Sequence, residues 1–296
     1  MLTRFAPSPT GYLHLGHVAH ALYVWGLAGA LGARVLLRIE DHDRTRCRPQ
    51  YEAALFDDLD WLGFVPDEGP PGPIEPPSPY RQSDTPERYR GALATLRAHA
   101  RVYACRCTRR TLAALVPHAD GDEARYPGLC RHAGVDDAPG VGLRVALPSG
   151  VETFDDLRLG PQAQDPSSQC GDLLARDRDG FWTYQFAVTV DDLSHGVDLV
   201  VRGEDLLAST GRQIALARLL GRATPPRFFH HPLLVDERGA KLSKSNRDTG
   251  VRELRAAGWT PGRVLGEAAA AVRLRPGPGT LRVADAAGLV SEAHLG

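Results

Sequence analysis

The 296-residue chain lacks a surplus of charge of either sign, since 35 Lys and Arg against 36 Asp and Glu leave a formal net charge of −1. Bulk electrostatics therefore give no general attraction to nucleic acid, and any such partner must be met by a local patch such as Arg106, Arg109 and Arg110. Long apolar runs are lacking too. The stretch from Val18 to Leu37 is broken by His20, Gly26, Gly29, Gly32 and Arg34, which excludes a membrane span and predicts a buried helix followed by a strand. The first ten residues carry Arg4 but run into Pro7, Ser8, Pro9 and Gly11 without the apolar block of a secretory signal, so a cytoplasmic location with no membrane partner is expected. Cysteine is scarce. Five are present, two of them in Cys105-Arg106-Cys107, which suits a reduced protein holding a metal better than a disulfide framework; Cys47 and Cys170 stand apart. There is no internal repeat, and the single biased tract, the proline-rich 66–79, predicts an exposed extended loop.

What is present reads as an α/β protein large enough to bury a substantial core, with 43% hydrophobic residues. The β-branched and leucine run Val35 to Ile39 predicts a strand of a parallel sheet whose carboxyl end delivers Glu40, Asp41 and Asp43, the place where open α/β sheets build ligand sites. A helix is expected from Thr85, with Pro86 and Glu87 at its start. From about Val102 to Pro166 the pattern changes to short strands, turns and the cysteine cluster, which predicts an inserted small domain. Strands are expected at Phe181 to Val190, Asp198 to Val201 and Arg227 to Val235, and helices at Thr210 to Leu220 and from Thr260 to about Arg273. The resulting division is 1–101 and 167–240 as halves of a nucleotide-binding catalytic domain, 102–166 as the insert, and 241–296 as a lysine-serine loop with a short helical tail.

Three groups of residues carry chemistry. In Pro7-Ser8-Pro9-Thr10-Gly11-Tyr12-Leu13-His14-Leu15-Gly16-His17, a turn-forming prefix opens directly into an apolar helix. The amides and dipole of a helix start favour phosphate, His14 and His17 can donate hydrogen bonds to it, and Gly16 lets a flat group approach the backbone. Lys241-Leu242-Ser243-Lys244-Ser245, after Gly239, offers two ammonium groups that can neutralise charge building on a phosphate during displacement. Either motif alone is ordinary surface; the two together in one α/β chain point to nucleotide chemistry. Cys105, Cys107 and Cys130 supply three thiols in spacing suited to tetrahedral zinc with the fourth ligand open, for which His132 offers a conventional Cys-x-His ending and Tyr126 a poorer donor on general chemistry.

His14-Leu15-Gly16-His17 and Lys241-Leu242-Ser243-Lys244-Ser245 resemble the two nucleotide signatures of class I aminoacyl-tRNA synthetases, with leucine in place of the usual isoleucine and methionine. The prefix Arg4-Phe5-Ala6-Pro7-Ser8-Pro9-Thr10-Gly11, Arg38-Ile39-Glu40-Asp41 and Val201-Arg202-Gly203-Glu204-Asp205 are more specific and resemble the glutamyl branch. The likeness runs from Arg4 to about Asn246. It implies a Rossmann-type class I synthetase catalytic domain with an inserted zinc-binding small domain and a short helical C-terminal region.

The same resemblance implies that glutamate and ATP with Mg2+ are substrates, with His14, His17, Lys241 and Lys244 as catalytic groups and His14, Gly16, His17 and Lys244 against the nucleotide. It implies a glutamate pocket of Arg4, Phe5, Ala6, Pro7, Ser8, Glu40, Tyr184 and Arg202, in which arginines match carboxylates. Tyr126, four residues before Cys130, matches the zinc site of the glutamyl-queuosine tRNA(Asp) synthetases, so Cys105, Cys107, Tyr126 and Cys130 are expected to hold one structural Zn2+, with His132 the alternative. That family implies a monomer without an anticodon-binding domain, which activates glutamate without tRNA and transfers it to queuosine in the anticodon of tRNA(Asp). A minimal glutamyl-tRNA synthetase charging the tRNA terminus, and a catalytically silent RNA-binding paralogue, are the rival expectations.

Overall fold

The computed structural model describes residues 1–70, 72–115, 125–233 and 250–294. Strands β1 (Leu2–Phe5) and β2 (Arg34–Leu37) pair in parallel, with Arg4 opposite Leu36, and are connected by helix α1 (Leu15–Leu31). Buried residues on α1 run from Val18 to Ala28 with little polar interruption, so this is an interior helix and not a surface one. It stops where Gly32 takes the left-handed conformation at φ 63°, which glycine adopts without a Cβ clash. Helices α2 (Pro49–Leu62) and α3 (Pro86–His99) each begin on a proline, whose missing N–H costs nothing in the first turn.

The middle of the chain gives β3 (Val102–Cys105), α4 (Arg109–Leu115), β4 (Gly142–Val145), β5 (Glu152–Asp156), β6 (Gly160–Gln164), α5 (Pro166–Gln169) and β7 (Leu173–Arg176). It continues as α6 (Tyr184–Ser194), β8 (Leu199–Gly203), α7 (Thr210–Leu219) and β9 (Arg227–His231). Strands β8 and β9 are parallel, β5 joins β9 in parallel, and β6 closes the edge antiparallel to β5. On the other side β8 runs beside β1, tied by the Asp198 N–H to the Leu2 carbonyl at 3.0 Å. The spatial run is therefore β2, β1, β8, β9, β5, β6, an α/β arrangement in which the first five strands run parallel and direct their carboxyl ends toward one edge.

A second, antiparallel sheet of order β3-β4-β7 forms the smaller unit. Its strands do not follow the expected 102–166 block. The hairpin of β5 and β6 lies inside that block yet pairs with the sheet of β8 and β9, while β7 lies beyond it and pairs with β4. The expected strand over Phe181 to Val190 is a correction: after a single bridge at Trp182, α6 begins at Tyr184 with Thr183 as its N-cap. Its Phe, Val and Thr content favours strand locally, but Phe186, Ala187 and Val190 pack in one cluster with Leu216 of α7 and Leu93 and Leu96 of α3, and that burial decides.

The tail is α8 (Val251–Ala256), α9 (Pro261–Ala271), whose Thr260 side chain caps the Arg263 N–H, and α10 (Ala286–His294). The sequence predicts no helix beyond about Arg273. Yet Val264, Ala268, Ala286 and Val290 belong to the same core cluster as α1, so the tail completes the main core. Among the described residues no helix is long and apolar enough to cross a membrane. The contact of α1 with α10 depends on Gly26, where a Cβ would lie 2.6 Å from the Val290 side chain and 2.9 Å from the Ala286 carbonyl. Gly26→Ala is expected to cost about 1–3 kcal/mol of stability through overpacking, read as a lower midpoint in denaturant with an unchanged m-value.

Candidate active site and metal centre

The carboxyl edge of the parallel strands encloses a cavity of about 440 Å3. Arg4, Phe5, Ala6, Pro7 and Ser8 reach it from β1 and the following turn, Glu40 from beyond β2, Tyr184 from the first residue of α6, Arg202 from β8, and His14, Gly16 and His17 from the start of α1. Every expected glutamate-pocket residue and every expected nucleotide residue within the described part of the chain lines this one space. Lys241 and Lys244 lie outside the described residues.

The α1 start orients two imidazoles. His14 is the N-cap: its Nδ1 accepts from the Gly16 N–H at 3.1 Å, and the His14 N–H donates to Nδ1 of His17 at 3.2 Å. A neutral ring whose Nδ1 accepts carries its proton on Nε2, so both rings hold donors suited to phosphate oxygens. Their centroids are 3.9 Å apart. His20, one turn on, bonds His231 at 3.0 Å, and burial holds both below the usual histidine range, His231 at about 4. These two stay neutral and contribute no charge to the cavity at pH 7.

Charge in the cavity comes from arginines and acids fixed in place. Arg4 bonds both carboxylate oxygens of Asp192 through Nε, at 3.0 and 3.1 Å, and the Val201 carbonyl at 3.1 Å. Arg38, fully buried, bridges Asp192 at 2.8 Å and Glu40 at 2.7 Å. Burial raises the Asp192 carboxyl, but Arg4 and Arg38 outweigh it and hold its pKa below the usual range. Arg202 differs from both. It is 3% exposed, and its bonds go to neutral groups: His230 Nε2 at 3.0 Å, Gln213 Oε1 at 2.6 Å and Thr210 Oγ1 at 2.8 Å. Burial pulls its pKa down to about 10, so it remains a cation at pH 7.

In the smaller unit, the Sγ atoms of Cys105, Cys107 and Cys130 all lie within 4.8 Å of one another, with Cys107 and Cys130 at 3.6 Å. Thiolates at the usual Zn–S length of about 2.3 Å on a tetrahedron sit about 3.8 Å apart, so the cluster can hold a metal ion. The Tyr126 hydroxyl is 3.4 Å from the Cys105 sulfur and accepts the Cys130 N–H at 2.9 Å. His132 is exposed and outside the gathered donors. The buried Arg144 stacks its guanidinium 3.6 Å over the Tyr126 ring and donates to the Cys105 sulfur at 3.4 Å, placing a cation beside the gathered donors.

Residues 1–265 match the family described as tRNA synthetases class I (E and Q), catalytic domain. The chain is 41% identical to the glutamyl-Q tRNA(Asp) synthetase of Nitratidesulfovibrio vulgaris, over 99% of this chain and 92% of that protein. It is 45% identical to the one of Symbiobacterium thermophilum, over 90% and 84% respectively. The chain belongs to the glutamyl-Q tRNA(Asp) synthetase family of class I synthetases. As a member of the glutamyl-Q family it is an enzyme, a ligase. It is also 40% identical to glutamate–tRNA ligase 2 of Halorhodospira halophila, of which it spans 55%. Among solved structures, the glutamate-tRNA synthetase of Elizabethkingia anophelis superposes with a TM-score of 0.74 at 29% identity, over 91% of this chain and 61% of that one.

Several residues that build this glutamyl-Q family site went unnoticed in the sequence. Asp192 was hidden by reading its segment as a strand; the acid pair Asp191-Asp192 after an apolar run was the available signal. Pairing of β5, β9 and β8 brings His230 to Arg202 and Asp156 to His230, while Thr210 and Gln213 reach Arg202 from the first turn of α7, and none of the four has a local motif. Tyr126 is set by a close approach: its backbone bridges Gly171, at φ 68°, where a Cβ would fall 2.1 Å from the Tyr126 carbonyl. Gly171→Ala is therefore expected to push Tyr126 out of the cluster. Elemental analysis of freshly purified protein should find about one transition-metal ion per chain in the parent and less in the variant.

Proposed function

We propose that the protein activates L-glutamate with ATP in the absence of tRNA and transfers the glutamyl group to the queuosine base in the anticodon of tRNA(Asp). The observation that carries this reading is the convergence of Arg4, Glu40 and Arg202 with His14, Gly16 and His17 on one cavity. Arg202, with no acidic partner among the described residues, suits the side-chain carboxylate of glutamate, and Glu40 suits its α-ammonium. The glutamate α-carboxylate oxygen then attacks the α-phosphorus of ATP. The new O–P bond forms as the bond to the bridging oxygen breaks, and pyrophosphate leaves with Mg2+ and the electron pair.

This step needs no protein nucleophile. His14 and His17 donate from Nε2 to phosphate oxygens, and Lys241 and Lys244 neutralise the charge that grows on the leaving group. In the second step a hydroxyl of the queuosine cyclopentenediol attacks the glutamyl carbonyl carbon, AMP leaves with the electron pair of the cleaved C–O bond, and the hydroxyl proton passes to the departing phosphate. Cys105, Cys107, Tyr126 and Cys130 would hold one Zn2+, whose chemistry is structural, since four protein ligands leave no open position. The names of the relatives from N. vulgaris and S. thermophilum support the acceptor.

Pyrophosphate exchange dependent on glutamate is expected without tRNA. With labelled glutamate, label is expected on tRNA(Asp) containing queuosine and not on the same tRNA lacking it, and nuclease mapping should place it in the anticodon. Label on the terminal adenosine would replace this reading with that of a minimal glutamyl-tRNA synthetase. Absence of exchange, with and without tRNA, would favour the silent paralogue.

A further inference from the structure

Arg202 is held from behind by an acid that does not touch it. Asp156, at the end of β5 and 3% exposed, accepts the His230 Nδ1–H at 2.6 Å and the His230 backbone N–H at 3.0 Å with one oxygen. Its other oxygen accepts the Arg158 and Leu159 N–H groups at 3.0 and 2.9 Å, so the carboxylate cannot swing. With its proton committed to Asp156, His230 keeps a lone pair on Nε2, and that lone pair receives the Arg202 Nε–H at 3.0 Å. The imidazole itself is 0% exposed and lies against Phe228, with ring centroids 5.9 Å apart. Thus β5, β9 and β8 each place one member of a line Asp156, His230, Arg202 across the sheet.

The spacing has a chemical meaning. A carboxylate bonded directly to Arg202 would occupy the guanidinium edge and cancel the charge that an anionic substrate needs. An imidazole in between fixes the guanidinium with a neutral acceptor and keeps the anion one ring away. We propose that Asp156 and His230 are positioning residues that hold Arg202 in the orientation that accepts an acidic side chain, and so set the preference for glutamate over its amide. This rests on the reading above that Arg202 meets the substrate carboxylate. Should Asp156 lose its charge, the imidazole is free to carry its proton on Nε2, which then opposes the Arg202 Nε–H and turns the guanidinium away.

The test is glutamate-dependent pyrophosphate exchange with four variants of the full chain. His230→Asn keeps a donor toward Asp156 and removes the acceptor for Arg202, while His230→Gln keeps an acceptor near the Nε2 position. His230→Asn and Asp156→Asn are expected to raise KM for glutamate at least tenfold, with KM for ATP within twofold of the parent and the glutamate-to-glutamine ratio of kcat/KM reduced. His230→Gln should recover most of the glutamate KM. A glutamate KM within twofold of the parent in His230→Asn, or an equal rise in both KM values, overturns the proposal. If His230→Asn does not fold, Asp156→Asn, which preserves the shape of the side chain, decides by the same criteria. Arg202→Gln separates the two ideas: if it leaves the glutamate KM unchanged, the substrate reading itself fails, whereas a large rise there without one in His230→Asn or Asp156→Asn sinks only the relay.

Discussion

Asp192 grips two arginines at once, and the placement of the site follows from that. Arg4 comes from β1, Arg38 from beyond β2 and Asp192 from α6, so one carboxylate ties three elements that share no backbone hydrogen bonds with each other beyond the β1–β2 ladder. Breaking such a buried pair leaves a charge without compensation, which costs about 3–5 kcal/mol. The network is therefore a stringent constraint on how α6 seats against the sheet. It also explains why Tyr184, at the opposite end of the same helix, arrives in the cavity beside Glu40 and Arg202.

The two guanidiniums in the cavity are treated differently. Arg4 is neutralised by a direct partner, whereas Arg202 is surrounded by an imidazole, an amide and a hydroxyl. In a site where both are 3–4% exposed, a second direct ion pair would leave little net positive field for an anion. The contrast leaves Arg4 in a direct ion pair and Arg202 among neutral partners on the same cavity. The acids Glu40 and Asp192 stand on the Arg4 and Arg38 side, so the space has a positive and a negative end, suited to a zwitterionic molecule with an extra acidic group.

Much of this was legible in the sequence because the chemistry of nucleotide binding is written locally. The turn-prone prefix, His14, Gly16 and His17 are adjacent, and their phosphate logic needs no knowledge of the fold. The same holds for Cys105 and Cys107, two residues apart, with Cys130 following in the same segment. Lys241 and Lys244, the two lysines of the chain, stand out equally against a background of arginine. What could not be read was carried by tertiary contact. Phe181 to Val190 has strand-forming side chains and is helical from Tyr184 because three hydrophobic neighbours surround it. Asp156 and His230 are 74 residues apart and meet only because β5 and β9 pair. The helix α10 carries no motif of its own, and its seat depends on distant contacts, among them the bare backbone of α1 at Gly26 and Gly29.

His14 serves two masters. As the N-cap of α1 it does what serine, aspartate or asparagine does better, since a short oxygen-bearing side chain is the preferred terminator of a helix start. As a ring whose Nδ1 is consumed by the Gly16 amide, it presents a proton from Nε2 that none of those residues could supply at the same reach. A thermostabilising redesign scored on helix ends alone would replace it and gain rigidity while erasing an imidazole that lines the cavity. Helix-end stability and the lining of the cavity thus ask for different side chains at one position, a trade-off lodged in a single imidazole.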